Sequence, residues 1–160
     1  MIRHVTEGEI AYLTPEARAR VEIDRQLATA GWAVQDASRA NLSASRGVAI
    51  REFVLKSPHG RADYLLKNRR TQPLAPIEAK RFSVDPYSAK AQAKEYAVSL
   101  RAPFIILSNG REHYFWDYEN GDARPIIGFP TQADLERRAN LRQHRQGDIA
   151  QSLRAIPYPT

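Results

Sequence analysis

The apolar positions of this sequence change period several times along the chain, and each change marks an element. After Thr14-Pro15-Glu16, small and aliphatic residues recur at Ala19, Ile23, Leu27 and Ala30, the stripe of an amphipathic helix. Thr14 is suited to cap that helix, Pro15 to its first position and Glu16 to the positive end of its dipole, and Gly31 ends it. Residues 32–35 read as a short extended piece or helix exit. Residues 36–47, rich in Ser, Asn and Ala, read as a loop carrying Arg39 and Arg46. The period then becomes two. Residues 48–55 form a strand with Val48, Ile50, Glu52 and Val54 on one face and Ala49, Arg51, Phe53 and Leu55 on the other. A turn at 56–60 leads to a second strand over 61–66, and a polar loop at 67–73 leads to a third over 74–80.

Beyond a loop at 81–86, an Ala-rich run predicts a helix over 87–100. Phe104-Ile105-Ile106-Leu107-Ser108 is continuously apolar up to its serine, the pattern of a strand buried on both faces. Strand, helix and apolar strand in succession predict a βαβ-like crossover, with this strand parallel to a neighbour. Asn109-Gly110 signals a hairpin, residues 113–118 are an aromatic return strand whose rings are expected mainly in the core, and 124–129 add an edge strand. Thr131-Gln132-Ala133-Asp134 approximates a capping box with Asp in place of Glu and opens a basic helix to about Arg145 that includes Arg137, Arg138 and Arg142. Residues 152–160, with Pro157 and Pro159, read as a linker, and residues 1–13 as an arm packing against the domain.

Composition narrows the classes. A chain of 160 residues with 42% hydrophobic content suits one globular domain, and no apolar run is long enough to span a bilayer. There is no cysteine, which excludes a disulfide framework, a thiolate zinc site and a cysteine nucleophile; a reducing, cytoplasmic setting is consistent with that. The four histidines have no metal-ligand spacing, so no zinc site is assigned. Lys and Arg number 24 against 18 Asp and Glu, a net charge of +6 that favours a polyanionic partner.

The chemistry concentrates in Pro76-Ile77-Glu78-Ala79-Lys80. In a strand, residues two apart share a face, so Glu78 and Lys80 project side by side. Antiparallel pairing of the second and third strands brings Asp63 opposite Glu78. Two neighbouring carboxylates suit Mg²⁺, which takes one or two acids and keeps waters for the rest of its shell, and the Ala79 carbonyl is a third candidate ligand. Lys80 would orient a water and offset charge on a phosphoryl transition state. Glu22, at the edge of the first helix's stripe, would complete the outer shell or hold a second ion. Gln92 and Tyr96, four apart, share one helix face and suit hydrogen bonding to the site or to a DNA backbone. Each feature has a plainer reading: Glu78–Lys80 as an exposed ion pair worth little, Glu22 as a solvated helix glutamate, and the arginine-rich helix as a solvated face.

Taken together, several segments resemble the N-terminal nuclease domain of the R (HsdR) subunits of type I restriction enzymes, within the PD-(D/E)XK nuclease superfamily. They are Val21-Glu22-Ile23-Asp24-Arg25-Gln26-Leu27, Asn41-Leu42, Gly47 to Phe53, Arg61-Ala62-Asp63-Tyr64-Leu65-Leu66, Ile77-Glu78-Ala79-Lys80 and Gln92-Ala93-Lys94-Glu95-Tyr96-Ala97, and the resemblance covers roughly residues 14–125. It implies an α/β, restriction-endonuclease-like fold with a central mixed sheet flanked by helices. It implies a catalytic core of Asp63, Glu78 and Lys80, with Glu22 as accessory acid and Gln92 and Tyr96 as the family's helix motif. Arg46 and Arg51 are candidates for DNA contact. Pro76 stands where the family has an apolar β-former, so a local strand irregularity is expected there.

The resemblance further implies an endodeoxyribonuclease using Mg²⁺ or Mn²⁺, acting on double-stranded DNA in the bacterial or archaeal cytoplasm beside methyltransferase and specificity subunits. R subunits also carry an ATP-driven translocase, but these residues hold no G-x-x-x-x-G-K-[ST] phosphate loop. The expectation is therefore an N-terminal arm (1–13), a nuclease domain (14–130), and a basic helix and linker (131–160) leading toward a motor outside this sequence. Two alternatives stay open: a non-cleaving DNA-binding or regulatory module of the same fold, and a stand-alone repair or junction nuclease.

Overall fold

Thr14 starts the first helix as its side chain allows: the hydroxyl accepts from the Ala17 N–H at 3.2 Å, Pro15 follows, and α1 spans Pro15–Thr29. A computed structural model describes residues 13–39, 47–55 and 60–155 of the chain. The expectations for the N-terminal arm before Leu13 and for Arg46 fall outside those residues.

Seven strands follow: β1 (Ala33–Asp36), β2 (Val48–Val54), β3 (Arg61–Lys67), β4 (Pro73–Ala79), β5 (Ile105–Ser108), β6 (His113–Trp116) and β7 (Arg124–Ile126). They form one mixed sheet whose order in space is their order in sequence. β1 pairs parallel to β2 and β4 parallel to β5, and the remaining neighbours are antiparallel. The helix between β4 and β5 makes their parallel pairing possible. That connection is a 3₁₀ turn, Pro86–Ala89, capped by Asp85, followed by α2 (Lys90–Leu100), so the regular α-helix begins three residues later than its composition predicts.

The alternation along β5 shows how the layers are built. Ile106 packs on one face with Ile23 and Leu27 of α1 and Leu135 of α3 (Gln132–Ala155). Ile105 and Leu107 pack on the other with Ala93 and Ala97 of α2. All three strand residues are fully buried, contributing about 1.5–3 kcal/mol each relative to exposure. The aromatic strand divides the same way, with Phe115 in the first layer and Trp116 in the second. Small side chains at Ala89, Ala93 and Ala97 line α2 where it meets the sheet.

Two expectations are corrected. Helix α3 continues to Ala155, through the first part of the stretch read as a linker, because no proline interrupts it before Pro157. The β3–β4 irregularity lies between Leu66 and Lys67, while Pro76 stays in register opposite Leu65. Pro76 has no N–H to give, and the parallel ladder to β5 starts only at the next residue, Ile77. A further irregularity lies in β2, where Glu52 has φ +52°, the left-handed region that non-glycine residues seldom occupy.

Candidate active site

The antiparallel register Tyr64↔Ile77, carried one step further, sets Asp63 across from Glu78 at the end of β4. There Asp63 Oδ2 accepts the N–H of Ala79 at 2.8 Å. The hydrogen bond fixes the carboxylate against the strand end that carries the second acid. Asp63 Oδ1 is held by the guanidinium of Arg20 on α1, which also donates to Glu52 at 2.9 Å. The carboxylate of Glu52, the residue with the positive φ, thus shares the cation that grips Asp63.

Glu78 is 5% exposed, and its Oε1 is buried with no hydrogen-bond partner among the described residues. Burial first, and then the negative charge of Asp63, push its carboxyl up to about 8, while the ammonium of Lys80 pulls the other way. Lys80 follows directly on β4, its backbone N–H donating to Ser108 of β5 at 2.8 Å. Its ammonium makes no hydrogen bond or ion pair with a described residue. On the far side stands Tyr96 of α2, packed with Leu55 and Ala62. Its hydroxyl accepts from the Gln92 amide at 2.7 Å, and burial and the charge of Glu78 both raise its pKa. The structure therefore brings Asp63, Glu78, Ala79, Lys80, Gln92 and Tyr96 into one neighbourhood.

Glu22 is placed differently. Its carboxylate accepts from Arg25 and, at 3.2 Å, from Gln26, both on its own helix. Gln26 then donates to the Gly110 carbonyl at 2.7 Å and accepts from His113 Nε2 at 2.8 Å. With the Nε2 proton given to Gln26, His113 Nδ1 is the acceptor for the Ser108 hydroxyl at 2.7 Å, and Ser108 Oγ accepts the Gly110 N–H at 3.0 Å. The side-chain polar atoms of Gln26, His113 and Ser108 are all paired with a neutral imidazole, the form that burial favours. Glu22 thereby belongs to a network that ties α1 to the β5–β6 hairpin.

Arg51, a candidate for DNA contact, points its guanidinium inward: it donates to Asp24 at 2.7 Å and sits 3.0 Å from Asp36. Tyr64 donates to the other oxygen of Asp24 at 2.6 Å. Arg20, Asp24 and the Gln26–His113–Ser108 set are the residues sequence reasoning passed over. The available signal was the one-turn spacing of Arg20 and Asp24, and of Glu22 and Gln26, on either side of the buried stripe of α1. Their partners lie on strands and loops 27 to 87 residues away, which helix periodicity does not reveal.

Among the described residues no group of three or more His, Asp or Glu side chains converges to hold an ion. A Mg²⁺ site asks for less, since one or two carboxylates suffice. The unpartnered buried oxygen of Glu78, beside Asp63 and Ala79, fits such a cation. Arg20 now provides the positive charge at Asp63.

The model of the type I restriction enzyme R protein N-terminus family matches residues 46–130, just over half of the 160. Among solved structures, the chain is similar to a fragment described as an HsdR subunit of a type I restriction enzyme from Vibrio vulnificus YJ016. The identity is 29% and the TM-score 0.62, over 79% of this chain and 25% of that one. The chain thus spans about a quarter of that relative's length. No curated protein matches.

Proposed function

Since the chain belongs to the type I restriction enzyme R protein N-terminus family, we propose that it is the DNA-cleaving part of such a subunit. It would hydrolyse a phosphodiester of double-stranded DNA, with Asp63, Glu78 and Lys80 at the centre. One observation carries the reading: Glu78 is buried next to a second carboxylate with one oxygen left unpartnered. A fold that served stability alone would have no use for that arrangement, because a buried acid without a partner is costly.

In this reading Asp63, Glu78 and the Ala79 carbonyl hold Mg²⁺ or Mn²⁺, which when bound supplies Lewis acidity and an acidified water. The Ala79 N–H keeps Asp63 in its rotamer, so the pair is set before substrate arrives. Lys80, with its ammonium uncommitted, donates to the attacking water or to the charge that builds on the phosphate oxygens. Tyr96 and Gln92 close the α2 side of the site. Arg20 is the group that must share Asp63 with an incoming cation. Glu22 acts through Gln26 by holding the hairpin against α1, and its place as accessory acid rests on the resemblance alone. The methyltransferase and specificity subunits of a type I complex are the proposed partners, and sequence recognition would lie with them.

The test is cleavage of supercoiled plasmid with Mg²⁺ or Mn²⁺ by the purified chain, alone and within its full subunit, together with the Asp63→Ala, Glu78→Ala and Lys80→Ala variants. Loss of cutting in all three, with circular dichroism unchanged, supports the reading. A full subunit that cuts equally well with all three substitutions removes it.

A further inference from the structure

A second polar site lies at the other end of the sheet. Phe104, just before β5, donates its N–H to Leu74 near the start of β4, whereas the acid pair sits at the far end of those strands, where Ala79 pairs with Ser108. Four residues of strand separate the two ends of β5, about 13 Å. At the Phe104 end, a cleft of about 250 Å³ opens between α3 and the β6–β7 hairpin.

Five arginines line it. Arg138, Arg142 and Arg145 recur at four- and three-residue steps along one face of α3, Arg137 stands beside them, and Arg124 enters from β7. The floor is aromatic: Phe104 and Phe115 pack with centroids 5.1 Å apart, and the Arg138 guanidinium lies 5.3 Å above the Phe115 ring. Acids answer only part of this charge. Asp134 takes Arg137 and Arg138, and Arg142 is paired with Glu119 and, at 3.8 Å, with Asp117. Arg124 and Arg145 are exposed and have no ion pair with a described residue. The side chain of Arg142 is only 12% exposed and already held: it donates to the Pro103 carbonyl at 2.9 Å and pairs with Glu119 and Asp117. Two guanidiniums at the rim without an acid, beside this fixed cation and over an apolar floor, leave uncompensated positive charge facing the cleft.

We propose that this cleft binds a phosphate group, separately from the acid pair. Planar forks converging from a helix and a strand match phosphate oxygens two at a time, as lysines would not. The phosphate has two sources of the same chemistry, the backbone of a duplex running past the domain and a free phosphorylated ion. Because the cleft and the acids occupy opposite ends of the strands, the phosphate held here is not the one to be cleaved. The site therefore stands whether or not the chain cuts DNA.

The experiment measures binding of a fluorescein-labelled 20-base-pair duplex by anisotropy, and of inorganic pyrophosphate by calorimetry. The proteins are the wild-type chain, an Arg124→Glu/Arg145→Glu double variant at the exposed rim, and a charge-matched Arg69→Glu/Arg70→Glu control on the exposed β3–β4 loop. The expected result is at least a tenfold loss of affinity for one or both probes in the rim variant, with the control within about twofold of wild type. Loss for the duplex alone identifies a backbone phosphate, and loss for pyrophosphate identifies a site for free ions as well. A wild-type chain that binds neither probe, or a rim variant that binds both as tightly as wild type, overturns the proposal. An unchanged melting temperature in the rim variant separates lost binding from lost fold.

Discussion

Asp24 and Glu78 are both buried acids, 8% and 5% exposed, and burial raises the pKa of each. Their surroundings differ. Asp24 receives the Tyr64 hydroxyl on one oxygen and the Arg51 guanidinium on the other. Glu78 has a like charge, Asp63, as its nearest strong influence after burial, and it keeps an oxygen without a partner. The first arrangement is closed at the carboxylate: each Asp24 oxygen already receives a donor, so neither is left for a ligand. The second is open: its energy falls when a proton or a cation arrives. Degree of burial does not separate a structural acid from a chemical one here. The state of its lone pairs does.

The two acids are expected to differ most in cleavage. Asp63→Ala, Glu78→Ala and Lys80→Ala are each expected to lower metal-dependent cleavage by more than about 100-fold, the equivalent of several kcal/mol of transition-state stabilisation. Asp24→Ala should leave residual cleavage by folded protein within a few-fold of wild type. Equal losses at Asp24 and Glu78 would erase the distinction.

The closed site should dominate stability. Asp24→Ala leaves Tyr64 and Arg51 without their buried partner, at a cost of about 3 kcal/mol, read as a lower urea midpoint. A midpoint unchanged by the substitution would mean that the Tyr64–Asp24–Arg51 contacts hold nothing together.

Removing the charge at the open site should have the opposite sign. An unfolded glutamate ionises near its ordinary value, while folded Glu78 keeps its proton until about pH 8. Between those values the folded state binds more protons, so its stability falls as pH rises through that window. Glu78→Gln is thus expected to match wild type at pH 4 and to exceed it by a few kcal/mol at pH 9. Millimolar Mg²⁺ should recover that difference in wild type alone, raising its melting temperature and not the variant's. A variant that is less stable than wild type at pH 9 would contradict an unpaired buried charge.

The smallest expected effect is at the shared wall. Tyr96→Phe removes one hydrogen bond, from Gln92, at about 1 kcal/mol, and takes a hydroxyl away from Glu78's surroundings. It should shift the pH of half-maximal metal binding slightly and leave cleavage within about tenfold. A loss as large as that of Glu78→Ala would assign Tyr96 a direct part in the chemistry.

What could be read from the chain beforehand follows the range of the forces involved. Local rules placed α1, from the Thr14 cap to Gly31, and the unbroken apolarity of Ile105-Ile106-Leu107 placed a central strand parallel to its neighbour. The short loop between β3 and β4 was enough to predict that Asp63 and Glu78 would face each other across a ladder. Long-range side-chain contacts were not legible. Arg20 reaches Asp63 across 43 positions and Gln26 reaches His113 across 87, and neither pair leaves a periodic trace. The positive φ at Glu52 was also hidden, because nothing in Arg-Glu-Phe differs from an ordinary strand. Pro157 and Pro159 suggest a linker from residue 152, yet a proline constrains the residue before it and not the turns further back, and α3 runs on to Ala155.

Because the strands are ordered in space as they are in sequence, each joins the rim of a sheet already laid down, and none has to wedge between two made before it. During synthesis the two acids emerge by residue 79, yet one side of β4 stays bare until β5 arrives more than twenty residues later, with Ser108 there to receive the Lys80 N–H. A chain made only as far as Lys80 therefore carries all three central side chains with α1, β2 and β3 beside them but without α2 and β5. The order of the strands thus acts as a timer: the site is assembled only after the helix and strand that bury it have been made.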